Sequence, residues 1–336
     1  MEYEKLDRRG RERYLDRAVL AGRGLVRRRL LGQGAFSDVY CVEETESGKR
    51  YACKVSARAE MLEREAHVLE RLDHPLYPGY GTFWRQGGLG ILLREYVEGD
   101  SLEAMLRRRH FSAARTVQAG LSLAEGLLYL HELPERLLFR DVKPANVILT
   151  QSGGVKLIDL GCVCSMEGET TSRAGSPGFA APEQLNGSAP LTPSCDVYGL
   201  GKTLEAMLGM PGEERRGGSG TGAWGVRHRK LRMGWRSPGK NPENVEKAGR
   251  KVRRAFWPKF GGRTWARTRR GAFQWIWRWT QGYGRQREQK KARRKLCRIL
   301  RACTGEEPGE RIGDMGEVIR RLRMLSHGIQ GKGPKR

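Results

Sequence analysis

Acidic residues are scarce in this sequence: 38 Asp plus Glu stand against 63 Lys plus Arg in 336 residues, a formal net charge of +25. Apolar residues are few as well, at 38%. No uncharged apolar run approaches the ~20 residues that a membrane-spanning helix needs, so a soluble chain, or one peripheral at a membrane, is expected. The opening Met1-Glu2-Tyr3-Glu4 lacks the basic and apolar segments of a signal peptide. Seven cysteines fall at irregular spacings, which argues against a disulfide framework and for reduced thiols in the cytoplasm. Cys162-Val163-Cys164 is the only close pair, with no second pair to complete a zinc site.

What is present in excess is local. Between Pro211 and Lys295 there are 26 Lys plus Arg against 5 Asp plus Glu, so the rest of the chain is nearly balanced. The same block holds seven of the eight tryptophans: Trp224, Trp235, Trp257, Trp265, Trp275, Trp277 and Trp279. Aromatics among arginines suit stacking on single-stranded nucleic acid or an anionic lipid surface, and the charge also suits an acidic protein. A solvated insertion, or helices that extend the neighbouring domain, are the plainer readings. The length permits one large or two ordinary domains with real cores.

Chemistry concentrates in Leu138 to Leu149, a polar loop between apolar runs. Asp141 could take a proton, Lys143 could hold a phosphate and Asn146 could bind a metal. Upstream, strand-like runs cover Leu25 to Leu31, Phe36 to Val42 and Arg50 to Val55, with a hairpin turn at Glu46 to Lys49. Between the first two runs lies Gly32-Gln33-Gly34-Ala35-Phe36-Ser37-Asp38-Val39, whose glycines let a backbone turn its N–H groups towards phosphates. Lys54 sits within the apolar run Tyr51-Ala52-Cys53-Lys54-Val55, where an unpaired ammonium is costly. The spacing predicts a helix from Ala59 to Leu72 with Leu62, Leu69 and Leu72 on one face. Glu65 shares that face while Glu60 and Glu63 point elsewhere, so Glu65 is the natural partner of Lys54.

Taken together these segments resemble the eukaryotic-type (Hanks-type) serine/threonine protein kinases. Phe139-Arg140-Asp141 to Asn146 is similar to the catalytic loop H-R-D-L-x-x-x-N with Phe139 for His. The glycine turn is similar to G-x-G-x-x-G-x-V with Ser37 at the third glycine, and the Lys54 strand to V-A-I-K. Asp159-Leu160-Gly161, eighteen residues after Asp141, resembles D-F-G. Gly175 to Glu183 resembles G-T-x-x-Y-x-A-P-E, Cys195 to Gly201 with Asp196 resembles the start of the family's helix that anchors the catalytic loop, and Arg311 stands where the family pairs an arginine with Glu183. The resemblance covers roughly Leu25 to Gly209 and Leu296 to Leu325.

It implies an α+β bilobal fold, with a small five-stranded β lobe carrying one helix and a larger, mainly helical lobe interrupted by a basic insertion. The expected divisions are an extension at 1–24, read as a loose helix packed on the body or a frayed tail, and the small lobe at 25–97. The large lobe takes 98–210 and 296–326, the insertion 211–295 and a tail 327–336. Helices are predicted at Ser101 to Arg109, Ala113 to His131 (buried face Val117, Leu121, Ala124, Leu128 and Leu130), Leu296 to Cys303 and Met315 to Leu325. Implied nucleotide contacts are Gly32, Gly34, Ser37, Val39, Ala52, Lys54, Glu65, Glu95 and Val97, with the backbone of the hinge Leu93 to Gly99 holding adenine. Arg94 falls at the gatekeeper position, usually apolar. Asp141 would accept the proton of a Ser/Thr hydroxyl, Lys143 would neutralise the transferring phosphate, and Asn146 with Asp159 would hold Mg²⁺, with Mn²⁺ an alternative. Arg140 would pair with a phosphorylated hydroxyl at Thr170, Thr171 or Ser172, with Ser176 a further hydroxyl of that segment. Phe139 would fill a stack with Leu160 and Leu69. The alternative function is a nucleotide-binding pseudokinase scaffold, motivated by Phe139 and Arg94.

Overall fold

A computed structural model describes residues 3–34, 36–167, 174–187, 189–210 and 288–330. The chain divides into two compact units, Met1–Gly222 with Ala292–Arg336, and Ala223–Lys291. Nearly all of the second, with the tryptophan-rich block, lies outside the described residues.

In the first unit a short helix α1 (Arg8–Tyr14) and further helical turns through Arg23 precede five strands: β1 (Leu25–Gln33), β2 (Asp38–Glu44), β3 (Arg50–Ser56), β4 (Tyr80–Gln86) and β5 (Leu89–Glu95), with α2 (Ala59–Arg71) between β3 and β4. They form one antiparallel sheet in the order β1-β2-β3-β5-β4. Strand alternation assigns its two faces. Tyr40, Val42, Cys53, Val55, Ile91 and Leu93 are buried against Leu15, Val19 and Leu20 of the N-terminal segment. Each of these three contributes about 1.5–3 kcal/mol of apolar burial, so the segment is the outer wall of the sheet rather than a frayed tail. Tyr3 and Arg11 add polar ties, both bonding Asp38 Oδ2 at 3.2 and 3.3 Å. The inner face carries Val39, Lys54 and Leu92 in one cross-strand row, and Cys41, Ala52 and Arg94 in the next.

On α2 the buried positions include Leu62, Glu65, Ala66 and Leu69, while Glu60 and Glu63 reach out to Arg85. Strand β5 ends at Glu95, where the chain leaves the small sheet. It enters a second, three-stranded sheet, in which β6 (Gly99–Ser101) pairs with β8 (Val147–Thr150) and β8 with β9 (Val155–Leu157).

Helix α3 (Leu102–Leu106), capped by Ser101, is shorter than the expected Ser101 to Arg109; helical-type bonds to the Glu103 and Met105 carbonyls trail on through Arg109, after which Phe111 N–H docks on the Met207 carbonyl. Helix α4 (Ala113–Glu132) is capped by Ser112 and runs through the large-lobe core. Val117, Ala124 and Leu130 are buried as expected, but Leu123 and Leu127 are fully buried where Leu121 and Leu128 are only partly so. The helix is enclosed by α6 (Pro193–Leu208), β9 and the last helix Met315–Gln330 together, so its buried surface is wider than a single stripe. Strands β7 (Leu137–Leu138) and β10 (Cys164–Ser165) pair beside it, α5 (Pro182–Asn186) precedes α6, and residues 292–303 are helical. Among the described residues no helix is long and apolar enough to cross a membrane.

Candidate active site

Lys54 projects from the middle of β3 onto the inner face of the sheet. Its ammonium donates to Glu65 Oε2 of α2 at 2.7 Å and to Asp159 Oδ1 at 2.8 Å. Burial by itself would lower the Lys54 pKa, but the charges of Glu65 and Asp159 outweigh it and hold it above the ordinary value. Burial would likewise raise the Asp159 carboxyl, and Lys54 holds it below the usual range. Gly161 closes the cluster, since a Cβ there would stand 3.2 Å from Asp159 Oδ1 and 3.3 Å from Glu65 Oε2. The sheet and α2 thus meet the Asp159 turn at one charged point, as the spacing of Lys54 and Glu65 predicts.

Beside it lies the loop that begins at β7. Asp141, Asn146 and Phe139 are buried. Asp141 Oδ2 accepts from Lys143 Nζ at 2.7 Å and from Asn146 Nδ2 at 3.1 Å. Asp141 Oδ1, equally buried, has no partner. Lys143 also donates to Ser176 Oγ at 2.6 Å. The segment that follows β9 and leads to Asp159 is tied to the loop by its backbone, with Ile158 N–H donating to the Asn146 carbonyl at 2.8 Å.

The loop is held in an uncommon shape. Arg140 has φ 67, left-handed for a residue with a side chain, which costs about 1–3 kcal/mol and persists only where the surroundings impose it. The imposing group is Asp196 at the start of α6. Its carboxylate accepts from Phe139 N–H at 2.8 Å and Arg140 N–H at 2.7 Å, and contacts His131 Nε2 at 2.8 Å. Gln184 donates to the Arg140 carbonyl, and Arg140 Nε donates to the Cys162 carbonyl. Glu183 meets Arg311 in a two-pronged ion pair, 2.7 Å on each prong. Phe139, Leu69 and Leu160 belong to one buried cluster.

Further out, Gly34 N–H closes the glycine turn on the Ser37 carbonyl at 2.8 Å, and a Cβ at Gly32 would meet nothing within 4 Å. Val39 and Ala52 share the Lys54 face, while Val97 lies just beyond the end of β5. Glu95 is braced by Gly79 N–H and by Lys156 Nζ, each at 2.9 Å. Its carboxyl is pushed up by burial, yet those two donors hold it below the ordinary value. Thr170, Thr171 and Ser172 fall outside the described residues. Sequence reasoning missed His131, Gln184 and Lys156. Only the neighbour of Gln184, Glu183, carried a motif that could have pointed to it.

The donor set fits a hard divalent cation beside anionic phosphates. Asp159 and Asn146 offer oxygen atoms, which such cations prefer; Lys54 and Lys143 offer charge, and Asp141 Oδ1 is an unmet acceptor. Residues 25–222 match the family model of the protein kinase domain. The chain is 35% identical over 201 residues to the serine/threonine-protein kinase PknK of Mycobacterium tuberculosis, covering 56% of this chain and 18% of that protein. It is 32% identical over 211 residues to the serine/threonine-protein kinase pkn2 of Myxococcus xanthus, covering 57% and 25%. It is 34% identical over 190 residues to the cytokinesis protein sepH of Aspergillus terreus, covering 54% and 14%. The chain spans a quarter or less of the length of these relatives. The family match takes in more than half of its own residues, and the chain belongs to the protein kinase family.

Proposed function

We propose that the chain is an ATP-dependent protein kinase that transfers the γ-phosphoryl group to serine and threonine hydroxyls of proteins. The observation that carries this reading is Asp141, whose Oδ2 is fixed by Lys143 and Asn146 while Oδ1 is left without a donor. A substrate hydroxyl supplies that donor. Its proton passes to Asp141 as the new O–P bond forms, the bond to the β-phosphate oxygen breaks and ADP leaves. Lys143 offsets charge on the transferring group, and Lys54, aligned by Glu65, holds the other phosphates. The glycine turn of Gly32, Gly34 and Ser37, with Val39 and Ala52, forms the roof, and the backbone of Glu95 and Val97 holds the adenine. Mg²⁺ bound by Asn146 and Asp159, or Mn²⁺ on the same oxygens, would supply positive charge on the phosphates. Lys143 and the serine/threonine kinases among the relatives support the hydroxyl specificity. Transfer of labelled phosphate to a basic test protein checks the reading: transfer that survives Asp141→Asn sinks it.

Regulation belongs to the same proposal. A phosphate at Thr170, Thr171 or Ser172 would pair with Arg140 and order the segment. Mass spectrometry of protein made with and without Asp141 tests it, and no phosphate on 159–183 in active protein removes the idea. Residues 211–295 would give the kinase an anionic partner, with salt-sensitive binding to lipid vesicles, single-stranded nucleic acid or an acidic protein telling the classes apart. A cytoplasmic location fits both.

A second reading, a nucleotide-binding scaffold without transfer, is favoured by one observation. Arg94 places a buried guanidinium with unpaired donors in the cleft. An ATP-dependent rise in melting temperature with no phosphate transfer selects the scaffold.

A further inference from the structure

A cavity of about 540 Å³ opens beside the hinge, and none of Lys54, Asp141, Asn146 or Asp159 lines it. Four arginines converge on it: Arg29 of β1 and Arg50 of β3 from the small lobe, Arg109 after α3 and Arg115 of α4 from the large lobe. Contacts fix where their guanidinium groups stand. Arg29 Nη2 donates to Tyr96 Oη at 2.6 Å, Arg50 lies 5.0 Å over the Tyr96 ring, and Arg109 lies 5.5 Å over the Phe111 ring. Arg115 donates to Gln118 Oε1 at 2.9 Å and rests on the turn between β8 and β9, where a Cβ added to Gly153 would stand 3.8 Å from its Nη1. Tyr96, Phe111 and Gly153 line the cavity as well, so each arginine is held at its wall.

These charges are largely unanswered. Arg50 pairs with Glu98, but among the described residues no carboxylate forms an ion pair with Arg29, Arg109 or Arg115. Like charges gathered around a concave wall focus their field into it and attract an anion. The fork of N–H groups on an arginine matches a carboxylate two for two. Met105, Phe111 and Leu149 add an apolar stretch to the same wall.

We propose that this cavity is a docking site for an acidic peptide segment, whose carboxylates take the arginine forks and whose apolar side chain rests on Met105, Phe111 and Leu149. Two features favour a peptide over a nucleic-acid strand. Glu98 and Asp100 share the wall; they repel a chain with a phosphate at every nucleotide, whereas a peptide can turn its backbone N–H groups to them. One face of each ring, Tyr96 and Phe111, is already covered by an arginine, which leaves less room for stacked bases. Docking here is independent of phosphate transfer, since the wall shares no side chain with the phosphate site.

The probe is a fluorescein-labelled peptide, Glu-Glu-Leu-Glu-Glu, titrated with the full chain at about 0.15 M salt, where attraction at long range is screened. Arg109→Gln with Arg115→Gln is expected to weaken binding about tenfold, because exposed pairs are worth little singly and two are removed together. Arg107→Gln with Arg108→Gln removes the same charge from the neighbouring surface outside the cavity and is expected to leave the Kd unchanged. A diazirine analogue of the leucine is expected to label wild-type protein on residues 96–111 and 149–153, a readout that needs no variant to fold. Equal losses in the two double variants, label confined to 211–295, or no binding by wild type each overturn the site. A single-stranded oligonucleotide of the same charge that binds more tightly, and is weakened by the same cavity variant, assigns the cavity to nucleic acid and overturns the peptide.

Discussion

Two buried ion pairs in this molecule are built to different rules. Arg311 and Glu183 are 0% and 1% exposed at their side chains and join through two bonds of 2.7 Å. The other Arg311 donors reach the backbone carbonyls of Ser194, Gly305 and Glu306. Lys54 and Glu65 approach just as closely, but Glu65 Oε1, Arg94 Nε and Nη1, and Asp141 Oδ1 in the adjoining loop are buried without partners. The first pair is closed on itself, and the second has bonding capacity to spare. Buried polar groups are nearly always satisfied, so a cluster of exceptions marks a place that a ligand completes. Stability and chemistry draw on the same residue types here; what separates them is whether every donor and acceptor is already spoken for.

The widest separation is expected at Asp141. Asp141→Asn keeps the shape and the contacts of Oδ2 but removes the proton acceptor, so phosphate transfer falls by about 10²–10⁴-fold, while the melting temperature stays near that of wild type. Labelled-phosphate transfer and a melting curve on the same preparation read both. A variant that melts early and loses activity in proportion would place Asp141 with the closed pair instead.

Next in size is the closed pair. Arg311→Ala strands Glu183 in the core and costs about 3–5 kcal/mol, read by denaturant unfolding. Replacing both partners, Arg311→Met with Glu183→Leu, recovers most of it, because no buried charge is then left alone. Lys54→Met behaves differently: it abolishes the ATP-dependent rise in melting temperature, whatever it does to the nucleotide-free protein. If Arg311→Ala unfolds no earlier than wild type, burial and full bonding do not mark a structural pair in this fold.

These contrasts were only partly visible in the sequence. Glu65 could be read because helical spacing sets it on the Leu62 and Leu69 face, and Lys54 because an ammonium in an apolar strand needs an anion. Asp141, Lys143 and Asn146 could be read because all lie within one short loop. His131 and Asp196 could not be paired by pattern, being 65 positions apart and joined only when α4 and α6 pack. The brace of Glu95 by Lys156 likewise depends on a strand of the second sheet returning to the hinge. The N-terminal segment shows apolar residues at helical spacing, but nothing local says that their partner is the outer face of a sheet. Arg94 was conspicuous by type, whereas its lack of acceptors is a property of the packed cleft alone.

A smaller effect is expected from pH. The Asp159 carboxyl is held below its unfolded value, so its share of stability is present above about pH 4 and is lost as pH falls through the folded value. The Lys54 ammonium is held above its unfolded value, so its share is present below about pH 10 and is lost only as pH rises through the folded value. Between these limits the cluster contributes a flat profile. As pH is lowered from 6 to 3, urea midpoints are expected to fall less steeply in Asp159→Asn than in wild type. Equal slopes would show that the Lys54 bond to Asp159 is not maintained in solution.

The smallest effect sharpens the comparison from outside it. Glu63 and Glu65 sit two positions apart on α2, and each accepts a bond from a cation, Arg85 at 2.6 Å and Lys54 at 2.7 Å. Distance alone ranks them equal. Arg85 and Glu63 are 46% and 35% exposed at their side chains, where attraction is screened and holding two long side chains together costs entropy. Glu63→Gln is therefore expected to leave the melting temperature and the nucleotide Kd within experimental error of wild type. Glu65→Gln weakens nucleotide binding, because Lys54 loses the charge that aligns it. Should both variants lose affinity alike, the helix as a whole rather than its one inward acid would be setting the nucleotide site.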